Sequence, residues 1–206
     1  MRFAAIAVIA LASTALVAQQ APSGPPGSRN PAAVVAGSYT ADPNHTLIEW
    51  TVDHLGFTPY FGLFGDTTGT LTIDPARPND AKVDVTIPVS KVLTTSPALI
   101  AHLLRAPKDG AKPDFFGPNP ADAHFVSTKV TASGETAKVE GNLTLNGVTK
   151  PVTLDARFHG AGKMSGKDNI GFTAMTTIRR SEFGIAFGIP MVSDEVKLKI
   201  SAAFAK

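Results

Sequence analysis

Residues 139–158 read VEGNLTLNGVTKPVTLDARF, in which apolar and polar residues alternate on both sides of the pair Asn146-Gly147. Asn and Gly both tolerate the positive φ that a two-residue type I′ turn requires, so the segment predicts an antiparallel β-hairpin. Leu145 and Val148 then face each other beside the turn. Because side chains alternate between the two faces of a sheet, one face of this hairpin is apolar and the other is polar.

The predicted register sorts the side chains of the hairpin between its faces. The apolar face carries Val139, Gly141, Leu143, Leu145, Val148, Val152, Leu154, Ala156 and Phe158. On the polar face, Lys138 lies opposite Asp155, where opposite charges stabilise a cross-strand pair. Lys150 is the exception, because the alternation puts it on the apolar face near the turn. Its long stem is expected to carry the ammonium group to the mouth of any space that the sheet encloses.

Most of the chain after Ser38 repeats this two-residue period, which predicts half-buried strands. Besides the two arms of the hairpin, the predicted strands are residues 48–54, 65–73, 82–89, 125–131, 170–178 and 192–204. The fold class is therefore all-β, with about eight antiparallel strands. Strands this numerous, each with one apolar face, either close into a barrel or stack as a sandwich.

One segment has the period of a helix instead. Residues 95–105 contain Ser96, Pro97 and then apolar residues at helical spacing, which predicts a short helix with Ser96 as its N-cap. Residues 106–122 carry several Pro and Gly residues around Phe115 and Phe116. They are predicted to form a long loop that covers the sheet.

A barrel of about eight strands is either filled by its own side chains or holds one small ligand. The residues predicted to face inward include several small ones, namely Gly141, Ala156, Ala174 and Ala202. Their size favours a cavity. The alternative is a filled barrel, since Trp50, Phe158 and Phe172 on facing strands are large enough to occupy the same space.

The start of the chain has the features of a secretory signal peptide. A positively charged start at Arg2 is followed by apolar residues 4–17, a run too short to span a bilayer stably. We expect cleavage after Ala18, so that residues 1–18 are the signal peptide. An uncleaved anchor is the alternative, because Leu16 is larger than the small residue usual two positions before the cleavage site.

Composition narrows the domain organisation and the classes of partner. Residues 19–37 are rich in Pro, Gly and Ala and are predicted to be a flexible linker, which leaves residues 38–206 as one folded domain. The chain has no Cys, so neither disulfides nor thiol chemistry are available to it. Its net charge of +2 comes from 19 basic and 17 acidic residues spread along the chain. Nucleic acid is therefore not an expected partner.

Histidines are the first candidates for catalysis or metal binding. The five are His45, His54, His102, His124 and His159. No two have the short spacing typical of a zinc site, so no metal is expected. The sequence also lacks a G-x-S-x-G elbow, a P-loop and a G-x-G-x-x-G motif. A hydrolase or metal-assisted enzyme that uses His45, His54 and the inward-facing Asp194 is kept as the alternative.

Aromatic residues cluster in two Gly-rich connections between strands. One cluster lies within residues 55–65, and the other contains Phe183 and Phe187. Such clusters are usually part of a core. In a barrel they are also suited to line or gate the open end around an apolar chain.

A series of short motifs resembles the YceI-like polyisoprenoid-binding family over residues 38–206. In chain order the motifs are Tyr39–Trp50 with Asp42 and His45, His54–Gly56 and Phe61–Phe64, Leu103, Asp114–Phe116, His124–Ser127, Gly141–Lys150, Arg180–Ile185 and Val192–Val196. The order and spacing of the motifs, rather than any one of them, carry the resemblance.

The resemblance implies an extended, lipocalin-like antiparallel β-barrel whose pore holds a polyisoprenoid or another long-chain amphiphilic lipid, such as an isoprenoid quinone. It also implies a periplasmic binding or carrier protein with no settled catalytic residues, and in many such proteins a homodimer. No cofactor other than a bound lipid is expected. A filled barrel that serves as a structural or interaction module remains the third alternative.

The strand alternation, together with the resemblance, gives the candidate ligand-binding residues. The side chains expected to line the pore are Trp50, Val52, Phe57, Phe61, Phe64, Val85, Ile87, Phe125, Gly141, Leu143, Ala156, Phe158, Phe172, Ala174, Phe183 and Phe187. His54, Lys150 and Arg180 are expected to meet the polar head group of the lipid.

Overall fold

The computed structural model describes residues 24–108 and 110–206. Within them the chain forms eleven β-strands and one α-helix. The strands are β1 (Gly27–Ser28), β2 (Gly37–Ala41), β3 (Leu47–His54), β4 (Thr58–Phe64), β5 (Thr68–Ile73), β6 (Lys82–Ile87), β7 (Ala123–Ser133), β8 (Thr136–Leu145), β9 (Val148–Met164), β10 (Lys167–Arg179) and β11 (Glu195–Ala205), and the helix is α1 (Pro97–Leu103). The predicted signal peptide, residues 1–18, lies outside the described residues.

Eight of the strands close into an antiparallel barrel. Going round it, the order is β2, β5, β6, β7, β8, β9, β10 and β11, and β11 pairs with β2 to complete the circle. The hairpin of β3 and β4 extends the wall, because β3 pairs with the part of β11 that β2 does not reach. The prediction of an all-β barrel of about eight antiparallel strands is confirmed.

The hairpin within residues 139–158 forms with the predicted register. Leu145 pairs with Val148, and the two turn residues between them have φ of 52° and 75°, as a type I′ turn requires. Lys138 pairs with Asp155, and their side chains form an ion pair of 2.8 Å on the exposed face. An exposed pair contributes little to stability, so the register depends on burial of the apolar face.

Helix α1 covers one end of the barrel with its apolar face. The Oγ of Ser96 accepts a hydrogen bond from the Leu99 amide at 3.2 Å, and Pro97 occupies the first helical position, as predicted. Leu99 and Leu103 pack in the same cluster as Trp50. Among the described residues, no helix combines the length and the apolar character needed to cross a bilayer.

The loop after α1 runs back over the same end of the barrel. The amide of Phe116 donates a hydrogen bond to the Leu103 carbonyl at 3.0 Å, which fixes the loop against the helix. Phe115 and Phe116 then point into the barrel interior. The described part of residues 106–122 therefore forms the covering loop that the sequence predicts.

Strand β4 is missing from the sequence prediction, which treats residues 55–65 as a Gly-rich connection. In the structure β4 pairs with β3 along its whole length. The alternation is hidden because aromatic residues occupy both faces, with Tyr60 and Phe64 facing inward and Phe61 facing outward. Pairing with the clearly patterned β3 overrides this local composition. The short strand β2 was likewise not among the predicted strands.

The linker also differs from its prediction. Residues 19–37 are predicted to be flexible, yet β1 pairs with Gly162 and Ala161 of β9, and a 3-10 turn follows at Pro31–Ala33. The physical reason is that β9 extends well past the first residue of β8, and its free edge offers backbone groups for pairing. The first part of the linker, residues 19–23, lies outside the described residues.

Gly141 is required for close packing inside the barrel wall. A Cβ atom there would overlap the ring of Phe125 and lie 2.6 Å from the carbonyl oxygen of Val126. Gly141→Ala is therefore expected to lower the free energy of unfolding by about 1–3 kcal/mol, measured by urea denaturation. Gly171→Ala on β10 is the matched control, since its Cβ would lie 3.8 Å from the nearest atom around it. Equal losses of stability in the two variants would contradict this packing role.

Candidate functional site

The barrel encloses an elongated cavity. Its volume is about 820 Å³, within the range of about 300–1,000 Å³ that is common for small-molecule sites. Ala137 and Leu145 of β8 both line it. The eight steps along a strand from Ala137 to Leu145 span about 26 Å, or about 20 Å along the axis of a barrel at the usual tilt. The cavity is therefore long enough for an extended chain molecule.

Polar groups on the cavity wall are concentrated at its ends. Of the described residues on the wall, those with charged or imidazole side chains are Glu135 at one end and His54, His102 and Arg180 at the other. The region between them is lined almost entirely by aliphatic and aromatic side chains. Such a surface suits hydrocarbon, since a polar group placed there would lose its hydrogen bonds to water.

Twelve of the sixteen side chains predicted to line a pore lie on the wall of this cavity. They are Trp50, Val52, Phe64, Val85, Ile87, Phe125, Leu143, Ala156, Phe158, Phe172, Ala174 and Phe187. Most of them stand on strands whose alternation the sequence shows clearly. For these residues the period of two is enough to find the inner face.

Four predicted lining residues lie elsewhere. Phe57 and Phe61 point to solvent with 83% and 62% of their surface exposed, because Phe57 stands in the β3–β4 turn and Phe61 on the outer face of β4. Phe183 is 1% exposed and packs in the core beside the cavity. Gly141 lies beneath the ring of Phe125, which takes the space that the small residue leaves.

Two of the three head-group candidates take different positions. His54 ends β3 and lies on the cavity wall, with its ring centroid 6.5 Å from that of Tyr60. Lys150 lies instead in a cleft of the barrel wall between β9 and β10, together with Thr153 and Thr177. The sequence predicts the inward face for both residues. In the structure, only His54 reaches the main cavity.

Arg180, the third head-group candidate, is committed to the protein backbone. Its Nε donates to the Ser193 carbonyl at 2.9 Å, and one terminal nitrogen donates to the Val192 carbonyl at 2.8 Å. The other terminal nitrogen donates to the carbonyls of Ile185 and Phe187 at 3.0 and 2.8 Å. The residue is 5% exposed, and burial lowers the pKa of its guanidinium group from the usual range. Arg180 thus holds the loop that carries Ile185 and Phe187 to the cavity.

The three residues of the enzyme alternative are not hydrogen-bonded to one another in the described structure. Asp194 accepts hydrogen bonds from the amide and hydroxyl of Ser181 at 2.8 and 2.7 Å. Burial raises the pKa of this carboxyl, but the two hydrogen bonds together with the charges of Arg179 and Arg180 leave the pKa below its usual range. His45 binds Asp42 at 2.6 Å and precedes β3, whereas His54 ends that strand. In the described parts of the chain, no group of three or more potential ligands is placed to hold a metal ion.

Three aromatic rings meet at the cavity end beneath α1. The centroids of His102, Phe115 and Phe187 lie 5.2 to 5.5 Å apart in edge-to-face contacts. The Nε2 of His102 bonds to Asp114 at 2.9 Å, and Arg105 donates to the same carboxylate at 2.6 Å. These two hydrogen bonds hold the pKa of Asp114 below its usual range. Sequence reasoning missed this arrangement, because folding alone brings the loop residues onto the helix.

Two buried donors on the cavity wall lack a partner among the described residues. They are the indole N–H of Trp50 and the hydroxyl of Thr67, whose residues are 9% and 2% exposed. An unsatisfied buried polar group costs about 1–3 kcal/mol. An acceptor atom on a molecule inside the cavity would remove that cost. Both side chains are therefore candidate ligand contacts that the sequence alone does not identify as donors.

Substitution of Arg180, with Arg179 as the control, tests whether Arg180 holds the loop that follows it. Arg180→Met is expected to lower the free energy of unfolding by about 2–4 kcal/mol, because several buried carbonyls lose their donor. Hydrogen exchange of residues 181–193 should rise with it. Arg179→Met, an exposed position on β10, is the control and should change stability by about 0.5 kcal/mol or less. An Arg180→Met variant as stable as this control would return Arg180 to the head-group candidates.

The chain is similar to proteins of one family. The family model described as the YceI-like domain matches residues 39–204. A UPF0312 protein of Pseudomonas paraeruginosa is 39% identical over 172 residues, which cover 81% of this chain and 86% of that protein.

Solved structures have the same fold. The Campylobacter jejuni YCEI protein has a TM-score of 0.62 at 30% identity, over 75% of this chain and 89% of that chain. A polyisoprenoid binding domain from Saccharophagus degradans has a TM-score of 0.53 at 13% identity, over 81% of this chain and 97% of that chain, which shows the fold alone. Since the family model covers nearly all of the barrel, the chain belongs to the YceI-like family.

Proposed function

We propose that this protein binds a polyisoprenoid or another long-chain amphiphilic lipid, such as an isoprenoid quinone, with the tail in the barrel cavity. The observation that carries the proposal is the elongated apolar cavity of about 820 Å³. Its charged and imidazole side chains stand at the ends, and the wall between them is mostly apolar. That distribution fits a molecule with a long hydrocarbon tail and a polar head.

The free energy of burial supports a long tail over a short one. Each buried methylene group contributes about 0.8 kcal/mol, and association costs about 4–15 kcal/mol in lost freedom and ordering. A tail of roughly 20 carbons contributes about 16 kcal/mol before that cost. A ligand with much less apolar surface would bind weakly in the same cavity.

The fold comparison supports the same class of ligand. The Saccharophagus degradans domain that shares this barrel is described as a polyisoprenoid binding domain. This domain is 13% identical to the present chain, so the likeness concerns the fold alone. It supports the proposal through the shape of the shared barrel. The unpartnered donors of Trp50 and Thr67 add to it, since an oxygen atom on the lipid would satisfy them.

We further infer that the protein acts in the periplasm as a binding or carrier protein rather than as an enzyme. Export is supported by the predicted signal peptide at residues 1–18. A binding role is supported by the partners of the enzyme candidates, since His45 bonds Asp42, Asp194 bonds Ser181, and neither bonds His54 within the described chain.

Ala156 provides the test of tail binding. It lines the cavity and pairs with Ala174 of β10, so Ala156→Trp is expected to fill space that the tail needs and to abolish uptake of geranylgeraniol. Native mass spectrometry measures uptake, and circular dichroism checks that the β-sheet is intact. Arg157→Trp, at the exposed neighbouring position, is the control and should retain uptake. Full uptake by a folded Ala156→Trp variant would place the tail outside the cavity.

A further inference from the structure

A cleft interrupts the barrel wall between β9 and β10. The two strands pair as far as Met175 and Asp155, and the ladder ends there although β10 continues to Arg179. Continuing the register would put Arg179 opposite Pro151. Proline has no N–H to donate, and its ring crowds a neighbouring strand. The sequence therefore contains a reason for the strands to separate at this point.

The cleft and the main cavity share part of their lining. The volume of the cleft is about 400 Å³, and its lining includes residues from both faces of the strands. Thr153 and Thr177 stand on the exposed face, whereas Val152, Thr176 and Ile178 line both the cleft and the main cavity. A group bound in the cleft would therefore be adjacent to a tail bound in the cavity.

The interrupted ladder leaves backbone amides directed into the cleft. Leu145 and Val148 form the hydrogen-bonded pair beside the two-residue turn, and such pairs alternate along β9. By this alternation the amide of Thr153 points away from β8 and toward β10. In the last β9–β10 pair, Met175 lies opposite Asp155. Every second amide along β10 from Met175 points toward β9, which gives the amides of Thr177 and Arg179 that direction. Within the described chain these three amides have no partner strand.

The charges around the cleft favour an anion. Lys150 and Arg179 both line it, and Glu182 is the acidic residue on its rim. Arg179 also pairs with Glu195 in the β10–β11 ladder, and its positive charge lowers the pKa of Asp194. Lys150 is therefore the basic group best placed to serve a ligand, and its flexible stem lets the ammonium group adjust to one.

We propose that the cleft between β9 and β10 binds the phosphate head group of a lipid whose tail lies in the cavity, so that the preferred ligand is a phosphorylated long-chain isoprenoid. This inference rests on the proposed lipid-binding function. Lys150 and Arg179 supply positive charge, and the amide of Thr177 supplies a directed hydrogen bond. Charged donors and backbone amides together are the groups that recognise phosphate oxygens.

Two probes with the same tail test the proposal. Geranylgeranyl monophosphate and geranylgeraniol are titrated against the full-length protein, and binding is followed by the fluorescence of Trp50, the one tryptophan of the chain, which lies on the cavity wall. The wild-type protein is expected to bind the phosphate about tenfold more tightly than the alcohol. The double variant Lys150→Met/Arg179→Met is expected to bind the two compounds equally. Lys199→Met, at an exposed position of β11, is the control and should keep the preference.

Each other outcome overturns a specific part of the proposal. Equal binding of the two compounds by the wild-type protein, or a preference retained by the double variant, overturns the head-group site and leaves tail binding intact. Failure of both compounds to bind overturns the proposed function and the head-group site with it. Inorganic phosphate is expected to compete weakly, because it has no tail. Competition as strong as that of the lipid phosphate would assign the cleft to free anions instead.

Discussion

Closure of a single sheet is the constraint on which the rest of this molecule depends. The barrel strands carry apolar side chains on one face, and in the part of the chain that the structure describes no second layer of sheet covers that face. Closure buries all of these faces at once and fixes the register, because a slip of one residue would expose a whole apolar face. Small residues such as Ala156 and Ala174 keep the interior from filling. The hydrophobic effect that stabilises the barrel therefore also leaves an apolar cavity inside it.

The two ends of the barrel are closed by different means, and polar interactions are concentrated there. At one end β1 and the turn at Pro31–Ala33 lie against the long strand β9. At the other, α1 and its following loop meet the segment that Arg180 holds by hydrogen bonds to backbone carbonyls. His102 and Asp114 join the helix to the loop. Side chains that resemble ligand-binding groups in the sequence thus position the cover of the cavity.

Strand alternation makes much of this structure predictable. The register of the β8–β9 hairpin and most of the cavity wall follow from a period of two, because that period directly encodes which side chains face inward. Phe61 was placed wrongly because aromatic residues on both faces of β4 hide its alternation, and Phe57 because it stands in the turn before that strand. Arg180 was misinterpreted because its partners are backbone carbonyls, which leave no trace in a pattern of side chains. The position of Lys150 depends on where two strands separate, a feature that no local period contains.

Lipid binding in the cavity is the central claim, and it is tested most directly on protein isolated from its own host. Native mass spectrometry of the protein purified from that host, followed by lipid extraction and identification, measures what the barrel contains. A bound long-chain isoprenoid or similar amphiphile, released on denaturation, is the predicted result. A barrel that is empty in every such preparation would contradict the claim.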